Sequence, residues 1–349
     1  MRLRIRTVIL TAAATLLAAP CTIASASDST ALSEAKAVEL AVHGQFRGRY
    51  ELDTEDGNGR FQVRYARVNG TATLYEIFKG YLNVDFCDRG KMRILDAWAS
   101  VDVTPEVTAR LGQFRMPFGY ECALGPATYV FSNRAFVGRY MANYRAVGAE
   151  VSWKPSKLPF DLAAGIFNPY TISSHDVWTK TYAGSVRARV YVGPFTFNTG
   201  FLTTAPDGLR LNIANVGAKY QQGAFSAVAE YYYRHYAHGL HPATHGYVVY
   251  GDYKHVMKSR LFNRWSVQAR VDGMTHCWAS RRDDNGHIEI ELDNPQRNRI
   301  TLGAMVSHIG FKGVDVHFQL NYEKFFWGHH HPGSIDNNDK IVAELQVCF

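Results

Sequence analysis

The sequence predicts a transmembrane antiparallel β-barrel of sixteen strands. Three observations carry that expectation: an export signal with no long apolar helix after it, period-two alternation along most of the chain, and connections that alternate between short and long.

Residues Met1 to Arg6 are basic, an apolar run extends from Thr7 to Ala19, and Ala24-Ser25-Ala26 follows as a small-x-small triplet. In that order they make a secretory signal peptide over 1–26, cleaved after Ala26. The apolar run falls short of the about 20 residues that a spanning helix needs. Cys21 would suggest a lipoprotein, but Pro20 stands where a small residue should precede a lipidated cysteine. No later stretch reaches about 18 consecutive apolar residues. Mean hydropathy is slightly negative, as in a barrel whose polar lumen dilutes its lipid-facing side chains. Losing Arg2, Arg4 and Arg6 takes the formal charge from +7 to +4, too mild to imply nucleic acid. Residues 27–41 read as a short periplasmic segment, either a helix around Ala31–Lys36 or a disordered leader.

The barrel proper is expected over 42–349. Val42, Gly44, Phe46, Gly48 and Tyr50 alternate with His43, Gln45, Arg47 and Arg49. Val314, Val316, Phe318, Leu320 and Tyr322 alternate with Asp315, His317, Gln319, Asn321 and Glu323. Trp265, Val267, Ala269 and Val271 alternate with Ser266, Gln268, Arg270 and Asp272. Such alternation means strands with one apolar and one polar face. The strands fall at 42–50, 61–74, 79–87, 93–102, 107–114, 145–154, 160–167, 182–192, 195–204, 211–221, 224–236, 245–255, 264–275, 299–309, 313–325 and 340–349.

A soluble sandwich would show the same local pattern, so the ends and connections decide. Aromatics gather at strand ends, at Tyr50, Phe61, Trp153, Phe160, Phe195, Phe326 and Trp327, where barrels place their interface girdles. Connections after even strands are short, such as Gly193-Pro194 and Gln222-Gly223. Those after odd strands reach 115–144 and 276–298. Short periplasmic turns and long external loops are the bacterial layout, and an even count puts both termini in the periplasm. The last strand, Ile341 to Phe349, closes on an aromatic in the manner of an outer-membrane assembly signal, so Phe349 is read as that signal.

The stretch Leu111-Gly112-Gln113-Phe114-Arg115-Met116-Pro117-Phe118-Gly119 resembles the phosphate-selective porin O and P family. Phe61-Gln62-Val63-Arg64-Tyr65-Ala66-Arg67 and Tyr81-Leu82-Asn83-Val84-Asp85-Phe86 are similar to that family's second and third strands. The resemblance implies a trimer of sixteen-stranded barrels with a long third loop folded into each lumen. Independently, Pro117 cannot donate a ladder hydrogen bond, so a wall strand should end there. The following loop carries Phe118, Tyr120, Tyr129, Phe131, Phe136, Tyr140 and Tyr144, a poor composition for a solvated segment. It is expected inside the barrel, narrowing the channel; the alternative is an outward lid or a trimer contact.

No Gly-x-Ser-x-Gly, His-Glu-x-x-His or Gly-x-x-x-x-Gly-Lys motif occurs, so no enzyme and no cofactor are expected. Histidines cluster in three external connections. His235, His238 and His241, with His329, His330 and His331, form a possible metal set, since imidazole binds zinc, copper and nickel. Polar external loops also tolerate histidines without a ligand. Of the mature cysteines, Cys348 lies at the periplasmic end, too far from the rest to pair. Cys87–Cys122 is the favoured disulfide, with free thiols as the alternative.

Arg47, Arg49, Arg64, Arg110, Arg187, Arg189, Arg270 and Arg299 fall on the polar phase of their strands, and Arg115, Arg134, Arg139 and Arg145 flank or belong to the loop. Asp102, Glu150, Asp161, Asp315, Glu323 and Glu344 oppose them. Basic rings favour anions; mixed charges also line unselective porins. The constriction is assigned to Arg47, Arg64, Arg110, Arg115, Arg134, Arg139 and Arg145, with Arg110 and Arg115 leading. The function expected is passive diffusion of small hydrophilic solutes with a modest anion preference. The alternatives are a phosphate-like anion channel and a surface metal-binding barrel. Expected partners are those solutes or anions, outer-membrane lipid and lipopolysaccharide, the barrel assembly machinery and two further copies of the chain.

Overall fold

Alternating side chains build a wall of sixteen strands in a computed structural model. It describes residues 38–349 apart from 89, 175, 207, 283–287, 312 and 329–337. The signal at 1–26, the start of the 27–41 segment and His329, His330 and His331 lie outside the described residues. The strands begin with β1 (Val38–Asp53), β2 (Gly59–Leu74), β3 (Phe78–Asp88), β4 (Lys91–Thr104), β5 (Val107–Arg115) and β6 (Arg145–Trp153). β7 (Phe160–Phe167), β8 (Ala183–Val192), β9 (Phe195–Thr204), β10 (Leu211–Gln222), β11 (Phe225–Tyr236) and β12 (Thr244–Val256) follow. β13 (Arg264–Met274), β16 (Arg297–Phe311), β17 (Val314–Trp327) and β18 (Lys340–Cys348) complete the wall. Successive strands pair antiparallel, and β18 returns to β1 to close the barrel.

Burial fixes which face is inside. On β1 the polar Arg47, Arg49, Glu51 and Asp53 are buried while Leu40, Val42 and Phe46 are exposed. On β17, Gln319, Asn321 and Glu323 are buried while Phe318, Leu320 and Tyr322 are exposed. That inversion of a soluble core is the signature of a wall facing lipid. At the periplasmic ends aromatics pack against one another: Trp153 edge-on to Phe160 at 5.2 Å and Phe195 tilted against Tyr220 at 5.0 Å between ring centroids. At the seam, the Phe349 amide donates to the Gly44 carbonyl and the Gly44 amide to the Phe349 carbonyl, at 3.0 and 2.7 Å. The Phe349 ring fills the space that any side chain at Gly44 would need.

Two local expectations change. β1 starts at Val38 rather than 42, so residues 38–41 are wall and not leader; Val38, Leu40 and Val42 continue its exposed apolar phase. The connection 276–298, expected only as a long external loop, holds two further strands, β14 (Cys277–Arg282) and β15 (Ile288–Asn294), which pair as a separate hairpin. Its signal was present in Ile288-Glu289-Ile290-Glu291-Leu292, an alternation that pairs within its own loop instead of extending the wall.

The Gly-Gln-Phe and Pro-Phe-Gly stretches have a steric reason. Gly112 has φ 135°, and a Cβ there would strike the Ala97 carbonyl and the Trp98 Cα. Gly119 has φ 59°, and its Cβ would strike the Tyr232 hydroxyl across the lumen. Only glycine allows both the backbone angle and the approach. The chain can leave the wall after β5 and meet the opposite side.

Candidate functional site

Residues 116–144 carry many backbone amides and carbonyls that must find partners once out of water. Inward side chains of the wall supply them. The Glu230 carboxylate on β11 accepts the amides of Tyr120 at 2.7 Å and Glu121 at 2.8 Å. The same carboxylate also accepts from Asn198, Asn215 and the Tyr232 hydroxyl at 2.7, 3.1 and 2.8 Å. The Asn321 Oδ1 takes the Ser132 amide at 2.7 Å, and the Asp272 Oδ2 takes the Phe136 amide at 2.8 Å. Arg47 donates to the carbonyls of Pro126 and Ser132, Arg270 to that of Asn133 and Arg299 to that of Arg134. Arg234 donates to the Tyr140 carbonyl at 2.8 Å and to the Met141 carbonyl. Partners on β1, β11, β13, β16 and β17 mean that the segment crosses the lumen.

A buried charge group holds its middle. Arg299 bonds Asp272 at 3.0 Å and Glu323 at 3.2 Å, and Arg270 lies 3.1 Å from Asp272 and 3.6 Å from Glu323. Two cations against two anions leave no net charge, and each side chain is nearly inaccessible. Such a group positions the segment and does not attract solutes. Apolar packing completes the fit, with Phe118 edge-on to Tyr232 at 5.8 Å and Phe131 edge-on to Tyr250 at 5.8 Å.

Glu121 sits on this inner segment and not on a wall strand. Burial first, then the Glu230 carboxylate, push its pKa up to about 7 from an ordinary 4.5, against the opposing pull of Arg270 and Arg134. A raised carboxyl is protonated more readily in the folded protein. Its stabilising share is therefore complete below 4.5 and lost as pH rises through about 7. Amides of 116–144 are expected to exchange hydrogen faster at pH 8 than at pH 6, after correction for intrinsic rates. Glu121→Gln should flatten that difference, and equal protection at both pH values in the unsubstituted protein would remove Glu121 as a cause.

Cavities lie on either side of the segment. One of about 390 Å³ at the periplasmic side is lined by Gln45, Arg67, Asn83, Gly125, Pro126 and Ala127 among others. The larger, about 770 Å³ on the external side, is the candidate site. Its lining includes Arg49, Arg60, Arg64, Arg139, Arg297, Arg299 and Lys340 against Glu51, Asp85, Asp293 and Glu323. Glu51 is shared by Arg49 at 2.8 Å and Arg60 at 2.6 Å. Arg64 and Arg139 differ from these. Among the described residues neither has a carboxylate partner; each lies over a neighbouring ring, Tyr65 at 4.7 Å and Tyr140 at 5.0 Å.

The other arginines named from the sequence are tied elsewhere. Arg110 bonds Glu150 at 2.8 Å and lies 3.8 Å over the Phe114 ring. Arg115 donates to the carbonyls of Cys122 and Leu124, inside the turn that starts the segment. Arg134 donates to the Glu121 carbonyl at 2.9 Å, and Arg145 bonds Asp96 at 2.9 Å. Arg47 is fully buried against Glu344. Sequence reading missed Arg60, Arg297 and Lys340. Arg297 shares the inward phase of Arg299, and starting that strand two residues earlier would have found it.

Among the described residues no group of three or more His, Cys, Asp or Glu could hold a metal ion. His238 is exposed in the turn after β11, and His241 stacks on Trp278 at 4.5 Å. His235 lies on β11 opposite Asn212. Cys87 and Cys122 are not bonded to each other; all four described cysteines are free. Cys122 points toward the Tyr232 hydroxyl at 3.5 Å, and burial with the Glu230 charge pushes its thiol up to about 12.

Residues 37–192 match the phosphate-selective porin O and P family, and that region holds β1 to β8 and the whole inner segment. This part of the chain is similar to that family. No curated protein sequence matches the chain. Among solved structures, a loop-deletion mutant of OmpT, an outer membrane protein of Vibrio cholerae, superposes with TM-score 0.62 at 13% identity. The match covers 90% of this chain and 99% of that one. An anion-selective porin from Comamonas acidovorans gives 0.58 at 13% identity, over 89% and 99%. Salmonella typhi OmpF, solved with daunomycin, gives 0.61 at 14% identity, over 89% and 97%. The closed antiparallel barrel of the porin fold is common to all of them.

Proposed function

We propose that this porin is a passive channel for small hydrophilic solutes that favours anions, and that it works as a trimer. The carrying observation is the pair Arg64 and Arg139, charged and without a carboxylate partner among the described residues, in an external vestibule where basic side chains outnumber acids. Charge of one sign on low-dielectric walls raises the local concentration of the opposite ion. Arginine keeps its charge at any relevant pH and offers a fork suited to phosphate or carboxylate. Neighbours of the same fold include a protein described as anion-selective and one described as a trimer.

Reversal potential across a planar bilayer in a potassium chloride gradient tests the reading. Chloride should pass more readily than potassium. A wild-type channel that prefers potassium would overturn the anion preference, and the absence of any conductance would overturn the channel. A dedicated phosphate channel is the second reading, favoured by the same two arginines. It requires that millimolar phosphate block the chloride current.

Phe349 is proposed as the assembly signal, because its backbone and ring close the seam on Gly44. Deleting it is expected to leave export intact while heat-modifiable, membrane-inserted barrel is lost. Normal yields of inserted protein would count against the assignment.

A further inference from the structure

The outer wall of β6, β7, β8 and β9 is concave. A groove of about 560 Å³ runs along it, with Ala149, Ala164 and Gly184 as its floor. Val151, Ile166, Val186 and Phe201 stand exposed along its sides. Lipid gives no hydrophobic drive for filling such a groove, so what remains is close packing, which small floor residues permit. The groove reaches the external ends of its strands, at Gly184 next to the start of β8 and Thr203 next to the end of β9.

The rim there has a different chemistry. In the connection 168–182, Trp178 is 99% exposed and Val177 and Tyr182 are also exposed, beside Lys180. Arg210 reaches to the groove's end, with its Nη1 donating to Thr203 Oγ1 at 3.0 Å and to the Tyr182 carbonyl at 3.3 Å. Among the described residues its Nε and Nη2 make no hydrogen bond, and Lys180 makes no ion pair. The connection also carries one acid, Asp176, which has a partner of its own. At its external end the apolar groove therefore meets a rim of exposed aromatics and two available cations.

We propose that this face binds a phosphate-bearing, multiply acylated glycolipid of the outer leaflet. One acyl chain lies in the β6–β9 groove, and the phosphate is taken by Lys180 and Arg210. The order of chemistry selects the occupant: a second copy of this chain would bring another lipid-facing wall and no anion to meet the rim cations. Trp178 and Tyr182 are exposed in the connection beyond the external ends of β7 and β8, aromatic belts sit at the headgroup level, and basic side chains near a membrane surface draw anionic lipid. The proposal rests on the outer-membrane reading of the barrel.

The test uses delipidated, detergent-solubilised trimer titrated with diphosphoryl hexa-acyl lipid A and followed by native mass spectrometry. Lys180→Glu with Arg210→Glu should weaken binding about tenfold and leave binding of the dephosphorylated lipid unchanged. Ala164→Phe with Gly184→Leu should weaken both lipids; a Cβ at Gly184 meets nothing closer than 3.8 Å, so the wall tolerates it. Unchanged binding in both variants overturns the proposal. So does a groove-filled variant that binds lipid normally but falls apart into monomers, which would make the groove a contact between copies. Conductance in zwitterionic bilayers is measured on each variant, so failure of the barrel reading would show separately as no channel.

Discussion

Replacing Glu230 with leucine is expected to free the inner segment and raise single-channel conductance severalfold. The carboxylate accepts five hydrogen bonds, two of them from the backbone amides of Tyr120 and Glu121, where the segment first meets the far wall. Those amides cannot rotate toward another acceptor while the segment stays docked. Leaving a buried donor unsatisfied costs about 1–3 kcal/mol, so the two together disfavour docking by roughly 2–6 kcal/mol. At about 1.4 kcal/mol per factor of ten, even the low end moves the docked fraction substantially. Glu230→Gln keeps one acceptor and should give an intermediate channel. Trypsin offers a second readout, since Arg134 and Arg139 lie on the segment and should become cleavable while the heat-modifiable barrel persists. A leucine variant with unchanged conductance and a protected segment would mean that the apolar contacts of Phe118 and Phe131 hold it without the carboxylate.

That anchor shows what one sequence reveals and what it hides. The wall was legible because lipid outside and water inside impose period two on every strand, and all sixteen expected strands have counterparts in the barrel. The route of 116–144 was legible from its aromatics and from Pro117. Its attachment points were not. Glu230, Asp272 and Glu323 each look like one more polar residue on an alternating strand, and phase tells which face a side chain takes but not what it meets. Arg110 and Arg115 were favoured for selectivity because they adjoin the loop in the chain. Folding spends them on Glu150 and on the carbonyls of Cys122 and Leu124. Arg47 has the right phase as well, yet the segment covers it completely. Cys87 and Cys122 both seemed to lie at the external rim, but the inner segment carries Cys122 across the lumen to Tyr232. In each case the missing information is a partner distant in sequence, brought close by a segment that leaves the regular wall.

Substituting both Arg64 and Arg139 with glutamate is expected to reverse the sign of the reversal potential. The vestibule has seven basic side chains against four acids, and the double substitution leaves five against six. Most of the remaining cations are already committed, Arg49 and Arg60 to Glu51 and Arg299 to Asp272 and Glu323, so ions entering from outside would meet mainly the two new carboxylates. Conductance at high salt should change little, because neither side chain holds the segment in place. At 1 M salt the screening length is about 3 Å and at 0.1 M about 10 Å, so the effect should be largest in dilute salt. Arg110→Glu with Arg115→Glu is the matched comparison, with the same change in charge at positions that the fold ties to the wall and to the turn. If the Arg64 and Arg139 pair governs entry, its substitution should move the potential further than that comparison does. An equal or smaller shift would return selectivity to the point where β5 leaves the wall.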